Sequence, residues 1–146
     1  MKGLKDIFAS IYELAIAFYG DNLGSYLYGL CDGGDGGLYA QIGLSMFGIT
    51  SISCMLFYFV FTNSKWYKFG HWFFFLIIGA LLTGIVAFLL PYLDFSQGLI
   101  CPQFIFKIED IIFFGIINVL LSAFLFFILS LVLKYVGKPQ ARYTPF

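Results

Sequence analysis

The stretch 111–133, IIFFGIINVLLSAFLFFILSLVL, carries no charged residue, and its reading decides the architecture. A helix needs about 20 apolar residues to cross a hydrocarbon core of about 30 Å, and this run exceeds that length. In lipid no water is at hand for backbone N–H and C=O groups, so a lone segment must satisfy them within itself, as a helix. Working outward, 69–93 and 38–64 are equally free of charge. The reading is an all-α integral membrane protein whose 146 residues form a single membrane domain. Its three transmembrane helices are expected at 38–62, 70–93 and 110–134. Asn63-Ser64-Lys65 closes the first and Pro91 lies near the end of the second. Glu109 and Asp110 open the third, where the positive end of the helix dipole favours them.

Composition agrees. The chain is 61% hydrophobic and 11% charged, with a mean hydropathy of +0.93. Soluble domains average about 25% charged residues, which cover their surfaces. Net charge is zero and no Lys/Arg cluster exists, which argues against nucleic acid as a partner. Cys31, Cys54 and Cys101 form neither a zinc pattern nor a C-x-x-C pair.

Residues 1–19 read differently. Leu4, Ile7, Phe8, Ile11, Leu14, Ala15 and Phe18 recur at helical spacing, while Lys2, Lys5, Asp6, Ser10 and Glu13 fall on the other face. This predicts an N-terminal amphipathic helix lying in the membrane interface. A signal peptide competes less well, since Glu13 interrupts the apolar stretch. A fourth span would carry Asp6 and Glu13 into lipid. Residues 20–37, GDNLGSYLYGLCDGGDGG, read as a glycine-rich connector, and 137–146 as a short tail.

Orientation follows from Lys and Arg beside the spans. Lys65 and Lys68 lie in the first loop, and Lys134, Lys138 and Arg142 at or beyond the end of the third span. The second loop holds Lys107 against Asp94, Glu109 and Asp110. The first loop and the C-terminus are therefore expected to be cytoplasmic, as in a bacterial inner membrane, with the connector and second loop opposite. That shared side, oxidising in a periplasm, brings Cys31 and Cys101 together as a possible disulfide. Two unpaired thiols are the alternative.

Each span carries small or weakly polar residues suited to helix packing. The first has Gln41, Ser45, Gly48 and Ser51; the second Ala80, Thr83, Gly84 and Ala87; the third Gly115, Asn118 and Ser122. Small residues let backbones approach, and dispersion then holds helices that lipid does not drive together. These stripes either join the three spans or face another protomer. The Asn118 amide requires a partner inside the membrane, with Gln41, Ser45 or Thr83 as candidates. His71, beside Trp72, fits an aromatic belt at the interface with Trp66 and Tyr67. Asp21, Asn22, Asp32 and Asp35 do not follow the EF-hand spacing, and no metal or cofactor site is expected.

Asp110 and Lys134 stand at the ends of the third expected span, and no Asp, Glu, Lys or Arg lies in the interior of any span, whereas proton relays and carriers normally need one. Ser45, in Gly43-Leu44-Ser45-Met46-Phe47-Gly48, misses the G-x-S-x-G elbow. The expected function is a non-enzymatic membrane subunit, a scaffold or anchor whose partners are the lipid bilayer and other membrane subunits or copies of itself. The alternative is an oligomeric pore with Ser45, Ser51, Asn118 and Ser122 as a mild polar lining.

Overall fold

The computed structural model describes residues 2–30, 37–60, 69–98 and 102–136. Among these there is no strand, and the protein is an all-α, multi-pass membrane protein. Three N-terminal helices come first: α1 (Lys2–Glu13), α2 (Ile16–Tyr19) and α3 (Asp21–Tyr28). Three long helices follow: α4 (Leu38–Met55), extended by a π-helical turn over Leu56–Val60, α5 (Phe69–Gln97) and α6 (Ile108–Val136). Leu38–Phe59, Phe69–Gln97 and Ile108–Tyr135 are each long and apolar enough to cross a membrane.

Local chemistry sets the boundaries. α6 opens where the Lys107 N–H donates to the Asp110 carboxylate at 2.9 Å, and it carries Lys134 in its last turn. Both ends thus complement the helix dipole. α5 runs through the buried Pro91 and ends four residues beyond the apolar run, at Gln97. Proline is tolerated in membrane helices because neighbouring groups re-satisfy the freed backbone.

The N-terminal region departs from the sequence reading in two ways. The amphipathic helix does not run to residue 19: it ends at Glu13, and α2 starts after a turn closed by the Ala15 N–H on the Tyr12 carbonyl. The connector is not loop from residue 20, because Asp21–Tyr28 is helical. Gly20, at φ 86°, turns the chain between α2 and α3, and Gly29, at φ 87°, ends α3 in the left-handed conformation. Leu23 and Leu27, one turn apart, bury fully and hold α3 on the bundle. The run 31–36, the first loop at 61–68, residues 99–101 and the tail lie outside the described residues.

α1–α3 pack at the end of the bundle where α4 and α6 begin and α5 finishes. The core there joins Tyr12, Tyr19, Leu23, Tyr39, Ile111 and Phe114. A second core at the opposite end joins Cys54, Phe57, Tyr58, Trp72 and Phe126. α4 sits against N-terminal helices and both other spans, which matches its lower mean hydropathy (1.7 against 2.8 for the others). The expected apolar stripe divides: Phe8 and Ala15 pack against the core, and other members face outward. Ile7, Leu14 and Phe18 are 60–87% exposed, whereas Ala9 and Tyr12 turn inward. α1 therefore has an outward apolar face and an inward aromatic one, with Asp6, Ser10 and Glu13 exposed to the side.

Candidate functional site

Thr50 and Tyr58 of α4 and its extension meet Asn118, Ser122 and Ser130 of α6 along one buried seam. Asn118, Ser122, Phe126 and Ser130 recur every four residues along α6, and all are buried. Met46, Thr50, Cys54 and Tyr58 do the same along α4 and its π-helical extension. The two helices run parallel, and one offset of 72 residues relates facing pairs: Thr50 to Ser122 and Tyr58 to Ser130. The Thr50 and Ser122 hydroxyl oxygens are 2.7 Å apart. At the next polar level Tyr58 bonds Ser130, and the Trp72 indole N–H from α5 donates to the same Ser130 oxygen at 2.9 Å. Cys54 and Phe126 fill the apolar level between.

The level of Met46 and Asn118 is completed from outside the spans. The Tyr12 hydroxyl of α1 donates to Asn118 Oδ1 at 2.7 Å and lies 4.0 Å from the Met46 sulfur. Asn118 Nδ2 donates to the Phe114 carbonyl at 2.9 Å, so both ends of the amide are engaged. Burial, and then the neighbouring Tyr19, push the Tyr12 hydroxyl far above its ordinary pKa, keeping it a donor. One turn nearer the N-terminal helices, Tyr19 donates to the Tyr12 carbonyl and sits 2.9 Å from the Tyr39 hydroxyl. With its own hydrogen committed, Tyr19 accepts from Tyr39. Tyr12 and Tyr39 stack, with ring centres 5.2 Å apart. Two further ties fix α3: Asn22 to the Ile105 carbonyl and Tyr26 to the Asp94 carboxylate.

These contacts reassign the expected partners of Asn118. Gln41 is exposed, Ser45 donates to the Ile42 carbonyl, and Thr83 donates to the Ala80 carbonyl. Ser45 and Gly48 lie off the contact face: Ser45 is half-buried, and a side chain on Gly48 would meet open space. The face that packs is instead Gly43, beneath Phe8, followed by Met46, Thr50, Ser53 and Cys54. Ala80 is buried on α5. Gly84 and Gly115 bring α5 and α6 together, and a Cβ on Gly84 would meet Val119 and the Gly115 carbonyl. Above this crossing a groove of about 270 Å³ opens outward, walled by Leu81, Ile85, Phe88, Ile112 and Ile116.

Tyr12 is the residue the sequence reading missed, since it lies off the apolar stripe of α1. The available signal was Tyr12 and Tyr19 seven residues apart, in register with Lys5 at the edge of the charged face. His71 is half-buried at the start of α5 and Cys54 is unpaired in the core. Cys31 and Cys101 lie outside the described residues. No group of three or more His, Cys, Asp or Glu placed to hold a metal occurs among the described residues. Comparison with family models, with curated proteins and with solved structures gives no match to the chain.

Proposed function

We propose that the protein is a non-enzymatic membrane subunit, a scaffold or anchor within a larger homomeric or mixed assembly. The observation that supports this reading is the seam itself: hydroxyls and the Asn118 amide are spent on one another inside the chain. Apart from Gln41 near the start of α4, the outside of the spans is mainly apolar, with Phe74, Leu81, Leu120 and Phe124 about half exposed or more. Such a surface suits lipid and other membrane helices. In this reading the Lys/Arg bias sets the C-terminus in the cytoplasm of a bacterial cell and α1–α3 on the opposite side of its inner membrane.

The oligomeric pore is weakened as a reading because two of its four lining candidates, Asn118 and Ser122, are turned inward and paired. Affinity purification from native membranes in mild detergent tests the proposal. A stoichiometric membrane partner, or a defined homo-oligomer without conductance in planar bilayers, is the expected result. A lone monomer, or reproducible single-channel steps from the purified chain, overturns it.

A further inference from the structure

At the end of the bundle capped by α1–α3, a pocket of about 220 Å³ is lined by Glu13, Ile16, Gly24, Ser25, Tyr28 and Tyr39, with Leu30 at its margin. α1 ends at Glu13 and α3 ends at Tyr28, so two helix carboxyl ends meet here, neither with a basic residue in its last turn. Both ends carry partial negative charge, and the Glu13 carboxylate adds a full one. Among the described residues nothing is paired with that carboxylate. The two tyrosine hydroxyls are already occupied, Tyr28 on Asp6 at 3.1 Å and Tyr39 on Tyr19. Hydrogen bonding to Asp6 is the main cause raising the Tyr28 hydroxyl's pKa, burial that for Tyr19, and the Glu13 charge adds to both. Gly24 leaves the space open, since a Cβ there would meet Ile16 and, at 3.3 Å, the Tyr39 oxygen.

The ligand that fits this chemistry is a cation, and its kind can be narrowed. Ca²⁺ sites draw on several carboxylates as well as carbonyls and water, and Glu13 is the single carboxylate in this lining. The Tyr39 ring is stacked on Tyr12 and shows the pocket its hydroxyl, so the half-buried Tyr28 is the aromatic wall. One such ring beside a single carboxylate suits a large, weakly hydrated organic cation, held by ring quadrupole and charge together. We propose that this pocket binds an organic ammonium group, presented by an amine-bearing phospholipid headgroup or by a small amine in solution. The site adjoins Tyr39, in the first turn of α4, at the end where that candidate span begins.

The test uses the full chain, released from vesicles of phosphatidylethanolamine, phosphatidylcholine and phosphatidylglycerol in equal parts, with retained lipid read by native mass spectrometry. The first two lipids are expected to be retained over the third. Glu13→Gln should weaken that retention by up to about fivefold, the worth of one partly exposed charge contact of about 1 kcal/mol. Thermal stability should not change, because Glu13 is exposed. Glu13→Asp should retain the preference. Tetramethylammonium, followed by saturation-transfer NMR, separates the sources. Saturable binding that displaces lipid identifies a site open to soluble amines, and no binding identifies a headgroup site. Equal retention of all three lipids, or retention indifferent to Glu13→Gln, overturns the proposal.

Discussion

Tyr12 donates a hydrogen bond of 2.7 Å to Asn118, across 106 residues of sequence, and so ties α1 to the interior of α6. The consequence is that α1 is part of the bundle's polar interior. Replacing Tyr12 by Phe leaves the Asn118 oxygen buried without its donor. The expected cost is about 1–2 kcal/mol, somewhat above the average of about 0.6 kcal/mol for intramembrane hydrogen bonds, because an unsatisfied group remains. Unfolding in mixed micelles measures it. Tyr12→Phe combined with Asn118→Leu should recover part of the loss, and a fully additive double variant would contradict the bond.

Thr50 and Ser122 make a similar case at the next level of the seam. Removing one hydroxyl strands the other, whereas removing both leaves an apolar contact of similar shape. Thr50→Val and Ser122→Ala should each destabilise, and the pair together should cost less than their sum. Additivity within error would show that the two hydroxyls do not meet.

Gly84 and Gly115 set the approach of α5 to α6. Gly84→Leu forces a side chain into Val119 and the Gly115 carbonyl, so it should destabilise by several kcal/mol, as overpacking does when backbone must move. Phe124→Leu, on a residue 65% exposed to the lipid side, should change stability by about 0.5 kcal/mol or less. Equal tolerance at both positions, in thermal unfolding followed by circular dichroism, would mean that the α5–α6 crossing is misplaced.

The sidedness inferred from Lys and Arg carries a chemical corollary at Cys31 and Cys101. Alkylation of the denatured protein is expected to label one thiol before reduction and three after it, Cys54 being the unpaired one. Three labelled thiols before reduction would remove the bridge and the support it lends to the assigned side.

The spans were legible because lipid imposes one requirement, an uncharged helical run of sufficient length, and three runs meet it. Gly84, Gly115, Asn118 and Ser122 stood out because small or polar residues are conspicuous in a background of Phe, Leu and Ile. The face of α4 was not legible. Gln41, Ser45 and Gly48 form one stripe and Gly43, Met46 and Thr50 another, and an almost uniformly apolar helix offers no periodicity to choose between them. Only the parallel offset of 72 residues, which pairs Thr50 with Ser122 and Tyr58 with Ser130, makes the choice. α3 was hidden by Gly20, Gly24 and Gly29, which read as loop until Leu23 and Leu27 are seen to bury. Tyr12 was hidden by amphipathicity, because much of the conspicuous aliphatic stripe of α1 faces outward.

The central claim is that the polar seam is sealed within a single chain and does not line a water path. Ser122→Cys in a background with Cys31, Cys54 and Cys101 replaced tests it directly, in membrane vesicles opened to both sides. A charged, membrane-impermeant methanethiosulfonate reagent should leave this thiol unmodified, while maleimide labels it fully once the protein is denatured. Rapid modification of Ser122→Cys by the charged reagent in the intact membrane would place water at the seam and contradict the account.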